Sequence, residues 1–285
     1  MSPFAYITLV TLLAGAGGTG LGGLVGALIK SESNRTISLL LAFAGGVMLS
    51  IVCLDLMPES VEAAEEVSGV APLITAAAVI IGVVVVYGLN YLIDRSTSHE
   101  VAHTADPEHP RTHDDIDELI HADHLSEHRK NNDSRAALFV AGLVMACAIA
   151  LHNIPEGMTI GASFVASDNL LFGTGLVMAI LIGVHNIPEG MAVAVPLITG
   201  GMHRVKAVLA TAACGIPTVL GAWLGYWLGD VGPLGLSMSL GFASGAMLYV
   251  VMGEILPQAI LMHRSKVPTF AFIAGMLVGL MIIYF

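Results

Sequence analysis

Leu151-His152-Asn153-Ile154-Pro155-Glu156-Gly157-Met158 and Val184-His185-Asn186-Ile187-Pro188-Glu189-Gly190-Met191 carry the same six residues, H-N-I-P-E-G, 33 positions apart. Each block sits inside an apolar stretch, 136–160 and 170–198. Stretches of that length cross a hydrocarbon core of about 30 Å, which takes roughly 20 helical residues. Working outward, six more such runs occur at 4–29, 37–57, 70–93, 205–228, 235–262 and 268–285. The expected fold is an all-α membrane protein with eight transmembrane helices.

Composition supports this. The 285 residues are 55% hydrophobic and 12% charged, with a mean hydropathy of +0.82, well away from soluble domains. Of the 22 acidic residues, 11 lie between Asp94 and Arg135, as do five of the 11 basic ones. The remainder is too poor in charge to cover a water-facing surface, and no amphipathic helices are left to shield a soluble core. The 32 glycines would weaken soluble helices, but in lipid small residues let helices approach closely. Runs such as Gly15-Ala16-Gly17-Gly18 fit that use.

Orientation follows from the tendency of Lys and Arg to stay in cytoplasmic loops. With the N-terminus outside and eight spans, Lys30, Arg35, Arg95, Arg111, Arg129, Lys130, Arg135, Arg204, Lys206, Arg264 and Lys266 all fall inside. That is every basic residue in the chain. The outward connections at 59–69, 167–169 and 230–233 hold acids and no Lys or Arg. The expected location is the inner (plasma) membrane, multi-pass, with both termini outside the cytoplasm. No positive charge precedes the first apolar run, which is long enough to span, so it reads as helix one and not as a signal peptide. Cys53, Cys147 and Cys214 sit in apolar segments without paired spacing, which indicates neither a disulfide framework nor a cysteine zinc knuckle.

Three regions result: helices 1–3 over 1–93, a His- and acid-rich cytoplasmic loop over 94–134, and helices 4–8 over 135–285. Pro107, Pro110 and the charge density of the loop predict a largely disordered linker. A second repeat organises the helices. Phe43-Ala44-Gly45-Gly46-Val47-Met48-Leu49 resembles Phe242-Ala243-Ser244-Gly245-Ala246-Met247-Leu248, and the match continues to Asp55/Glu254 and Pro58/Pro257. Helix two runs outward and helix seven inward, so the copies are inverted, as in secondary transporters with a midplane site. The arrangement is 3+2+3, with an inverted repeat of helices 1–3 and 6–8.

Within each H-N-I-P-E-G block the His and Glu are four apart and the Asn and Glu three apart, which puts all three side chains on one helical face. Two such helices face to face would assemble His152, Asn153, Glu156, His185, Asn186 and Glu189. A carboxylate at the membrane centre costs on the order of 2.5–3.5 kcal/mol even on a lenient insertion scale. Apart from Lys206, at the very start of the 205–228 run, no Lys or Arg lies within any span to compensate two of them. A divalent cation supplies the charge, and imidazole with carboxylate suits zinc and its first-row neighbours better than magnesium or calcium. For a single intramembrane His or Asn, an interhelical hydrogen bond explains as much; two identical six-residue blocks tip the balance to metal. Pro155 and Pro188 free the carbonyls of Leu151 and Val184 beside the site, and Gly157 and Gly190 are expected to permit a local bend.

H-N-x-P-E-G on adjacent helices four and five of an eight-helix chain resembles the ZIP (Zrt/Irt-like) metal transporters, particularly the bacterial members. The resemblance covers essentially the whole chain and includes the outside termini and the His-bearing loop. It implies a transport site, binuclear in many members, that maps to His152, Asn153, Glu156, His185, Asn186 and Glu189. Asp55 on helix two matches a position where the family often has a polar residue near that site. Glu254 on helix seven is its repeat counterpart, and the two are expected to act as entrance and exit relays, with helix capping or a neighbouring hydrogen bond as the plainer account. Met48 and Met247 could be soft entrance ligands, though packing is the better account. His99, His103, His109, His113, His121, His124 and His128 give the loop a weakly metal-binding composition, equally consistent with a solvated linker. Many relatives have a Glu before a proline on helix six; here Ala213-Cys214-Gly215-Ile216-Pro217 places Ile216 there, which predicts a single tightly bound metal.

The expected function is secondary transport or facilitated uptake of a divalent transition metal into the cytoplasm. Zinc (Zn2+) leads as the transported substrate, ahead of iron, manganese, cobalt and cadmium. No G-x-x-x-x-G-K-[ST] run exists to drive an ATP engine. The alternative is an intramembrane metal-dependent hydrolase, which would need an open metal position and a separate general base. Partners are the metal ion and the lipid bilayer, with no nucleic acid; a homodimer is left open.

Overall fold

A computed structural model describes residues 2–28, 34–97, 134–167 and 173–284, all of them helices and their connections. The helical rods are α1 (Pro3–Leu28), α2 (Arg35–Glu65), α3 (Ala71–Thr97), α4 (Ser134–Ala166), α5 (Thr174–Thr199), α6 (Arg204–Asp230), α7 (Pro233–Met262) and α8 (Val267–Tyr284). Seven segments among the described residues are long and apolar enough to cross a membrane; α4 is 33 residues long. The loop histidines from His99 to His128, and with them the expectation of a disordered linker, lie outside the described residues.

Local sequence accounts for the ends and irregularities. The Ser2 hydroxyl accepts from the Ala5 N–H and Pro3 opens α1, a side-chain cap with a proline where no donor is needed. Among the described residues three π-helical turns interrupt the rods, at Leu13–Gly17, Val52–Leu56 and Val251–Ile255. The latter two precede Pro58 and Pro257, whose rings would clash with carbonyls four residues back in a regular helix; a widened turn relieves that. As a result α2 does not stop near residue 57 but continues to Glu65, and the outward connection is shorter than the 59–69 expected. The α6 rod is broken instead of continuous: its first half ends at Cys214, and the second starts at Pro217.

Glycines facing backbone carbonyls set the packing. In α1 and α5, Gly22 lies against the Ile187 carbonyl and Gly190 against that of Thr19, with no room for a Cβ at either. In α6 and α4, Gly221 lies against the Ile154 carbonyl and Gly157 against that of Thr218. Gly157 and Gly190 thus serve close approach. Helices α2 and α8 meet through Gly46 and Gly275, and α7 and α3 through Gly245 and Gly82, in the same reciprocal manner. Helices α2 and α7 run past each other and are pinned near both ends, by Ser38 donating to the Ala259 carbonyl and Ser60 to the Ser237 carbonyl.

The polarity of the molecule is that of a membrane protein. Its outer faces carry Leu73, Leu209, Trp227 and Phe270, each more than 60% exposed, while its interior holds histidine, asparagine and glutamate side chains. Such groups are costly in lipid and face inward where they can be paired.

Candidate metal centre

Helices α4 and α5 bring all six residues of the repeated blocks into the interior, none more than 7% exposed. The helical spacing puts His, Asn and Glu of each block on the face turned toward the other helix. The two blocks then interdigitate. His152, Glu156 and Glu189 each offer one ligand atom within 4.8 Å of the others. His185 joins them, with Nε2 at 3.1 Å from Glu189 Oε1 and 3.6 Å from Glu156 Oε1. His152 Nε2 is 3.9 Å from the same Glu189 oxygen.

Many of these atoms lack a hydrogen-bond partner. Both oxygens of Glu156, Glu189 Oε2, His152 Nε2 and His185 Nδ1 are buried without one. Leaving a buried polar atom unmade costs about 1–3 kcal/mol, more for a charged one, and two close carboxylates at low dielectric repel as well. A cation held among them removes both costs. Histidine nitrogen and carboxylate oxygen, the donor types gathered here, are ones that zinc accepts.

Asparagine behaves differently. Asn153 Nδ2 donates to the carbonyls of Ile149 (2.9 Å) and Cys214 (3.1 Å), and its Oδ1 accepts from Thr218 Oγ1 (3.1 Å) and Asn186 Nδ2 (3.4 Å). Asn186 Nδ2 also donates to the Ala14 carbonyl at 3.2 Å, while its Oδ1 has no hydrogen-bond partner. Ile216, the residue expected opposite the site on helix six, is half exposed on the outer face. The break at Gly215-Ile216 turns that side chain outward, so Thr218, which is fully buried, faces Asn153 in its place. Thr218 was not singled out from sequence, although Thr218-Val219-Leu220-Gly221 echoes Thr19-Gly20-Leu21-Gly22.

The two acids outside the blocks part company. Glu254 Oε2 is 3.9 Å from His152 Nδ1, and Asn90 Nδ2 donates to Glu254 Oε1. Asn90, His152 and Glu254 line one cavity of about 460 Å³, whose other walls are mainly apolar. Asp55 is half-buried, with Oδ2 lacking a hydrogen-bond partner. Beside it, Cys53, Met57, Glu62 and Glu65 border a hollow of about 500 Å³. Met48 and Met247 are core residues, and the Met247 sulfur accepts from the Thr159 hydroxyl.

The family model described as ZIP zinc transporter matches residues 3–285. Zinc transporter ZupT of Chlorobium phaeovibrioides is 33% identical over 278 residues, covering 95% of this chain and 94% of that protein. ZupT of Chlorobium luteolum is 34% identical over 284 residues, covering 98% and 97%. ZupT of Salmonella newport is 30% identical over 273 residues, covering 94% and 92%.

Proposed function

The chain belongs to the ZIP zinc transporter family, and from that premise we propose that it takes up zinc through an intramembrane site built by His152, Glu156, His185 and Glu189. It is a transporter and not an enzyme, which sets the hydrolase alternative aside. One observation carries the site: three ligand atoms converge within 4.8 Å in the interior, among carboxylate oxygens without hydrogen-bond partners. The ion is the cargo. One zinc with Glu156 and Glu189 is neutral, so it can sit in low dielectric without a counterion. Zinc uptake by proteoliposomes, present with the intact chain and absent when both glutamates become glutamine, tests the reading.

The rods form eight spans in a 3+2+3 order, with α1–α3 and α6–α8 as inverted copies. The reciprocal glycine contacts support this, since Thr19 and Gly22 of α1 meet α5 as Thr218 and Gly221 of α6 meet α4. The paired π-turns ahead of Pro58 and Pro257 do so too. Both termini lie outside the cytoplasm, and residues 94–134 form a cytoplasmic loop between helices 1–3 and 4–8. Iron, manganese, cobalt and cadmium share enough ligand chemistry with zinc to enter the same site.

The site takes one tightly held ion. A second ion at the Asn position would leave two positive charges uncompensated at a place where one unpaired ion already costs several kcal/mol, and the hydrogen bonds of Asn153 leave it no lone pair to offer. Asp55 and Glu254 are the entrance and exit relays. The approach of Glu254 to His152 supports its part of that assignment.

A further inference from the structure

Resting on the reading of the two His/Glu pairs as the ion's ligands, we infer that Thr218 is a specificity-determining positioning residue: its hydroxyl holds Asn153 in a hydrogen-bonded clasp and keeps that amide oxygen off the ion. The amide of an asparagine has two acceptor lone pairs and two N–H donors. In Asn153 all four are engaged, by Thr218 and Asn186 on the oxygen and by the carbonyls of Ile149 and Cys214 on the nitrogen. Through Asn186 and the Ala14 carbonyl the clasp extends to α1. It therefore joins α1, α4, α5 and α6 directly beside the ligands.

Its position is built rather than incidental. Thr218 follows Pro217, which opens the second half of α6 after the break. Gly15, inside the π-turn of α1, faces Thr218 Oγ1 and the Gly215 carbonyl so closely that neither leaves room for a Cβ. The two irregular turns, one in each rod, are thus pressed together around this hydroxyl. Carbonyl oxygen favours harder ions such as manganese, whereas imidazole suits zinc. By occupying Asn153, Thr218 biases the site toward zinc, with Asn186 Oδ1 as the one amide oxygen of the pair that remains unengaged.

The test uses the full chain in proteoliposomes, with zinc uptake measured against manganese competition and zinc stoichiometry measured in parallel. Thr218→Ser keeps the donor and is expected to match the intact chain. Thr218→Val removes it and is expected to lower the zinc-over-manganese ratio about tenfold, the scale of one lost hydrogen bond, with one zinc still bound per chain. Thr218→Ala gives the same reading if the valine variant misfolds. A donor-less variant with unchanged selectivity overturns the inference, as does a serine variant that behaves like valine. Zinc binding that survives Glu156→Gln combined with Glu189→Gln overturns the ligand assignment itself, a result separate from the selectivity ratio.

Discussion

Asp55 and Glu254 occupy the same place in two π-helical turns, three residues before a proline in each case, yet only Glu254 lies 3.9 Å from His152 Nδ1. Two side chains with matching sequence surroundings therefore stand in different relations to His152. Removing the charge of Glu254 takes a negative group from the ion's neighbourhood, where each charge counts more than in water. Glu254→Gln is expected to weaken zinc binding about tenfold, while Asp55→Asn lowers the uptake rate and leaves equilibrium affinity nearly unchanged. Calorimetric titration of both variants checks this, and equal losses of affinity would contradict it.

Glu156→Ala and Glu189→Ala are each expected to abolish transport while membrane insertion stays intact. On the proposed reading each carboxylate supplies half of the charge that neutralises the ion, and among the described residues no Lys or Arg pairs with either. Flux in proteoliposomes together with the yield of folded protein separates this from a folding defect. Normal zinc flux in either variant would sink the assignment.

Ile216→Glu is expected not to create a second metal position, because the Ile216 side chain is half exposed on the outer face of α6. It places a carboxylate toward lipid, at a cost on the order of 2.5–3.5 kcal/mol at full depth. The readout is one zinc per chain and a lowered melting temperature. Two zincs per chain would show that the side chain turns inward.

Gly157→Ala and Gly221→Ala should each destabilise the protein by roughly 1–3 kcal/mol through overpacking, since both glycines press on a carbonyl of the facing helix. Gly69→Ala is the control, because a Cβ there meets nothing within 4 Å. Thermal unfolding in detergent compares them. Equal stability of all three would contradict the packing described.

Deleting 102–131 is expected to preserve zinc flux while changing its response to internal metal, since that segment is assigned to the cytoplasmic side. Complete loss of flux in a correctly inserted deletion protein would count against it.

The helical class and the convergence of the candidate ligands were legible because both depend on short-range pattern. An apolar run must be long enough, and His, Asn and Glu three and four apart must share a face. Breaks and widened turns were less legible. Pro58 reads as a stop to a helix, but a π-turn just before it lets α2 continue to Glu65. The side toward which Ile216 points depends on the break at Gly215, and that break depends on how α6 meets Gly15 of a distant helix. Asn153 was grouped with the candidate ligands by its spacing and by the family resemblance. Only the long-range bonds to Thr218 and Cys214 distinguish an amide already engaged from one that is available.

The π-turns also bear on how such a chain tolerates change in length. A π-turn holds one residue more than a regular helix of the same rise, so it resembles an insertion that the fold has absorbed locally. Loss of a single codon within 52–56 or 251–255 could then be healed by a return to α-helical spacing, leaving Pro58 or Pro257 and all that follows in place. The same loss elsewhere in α2 or α7 would rotate the remaining helix by about 100°, carrying Ser60 or its counterpart Ala259 out of register with the partner it pins. Single-residue indels in these helices should accordingly be survivable at the widened turns and damaging outside them.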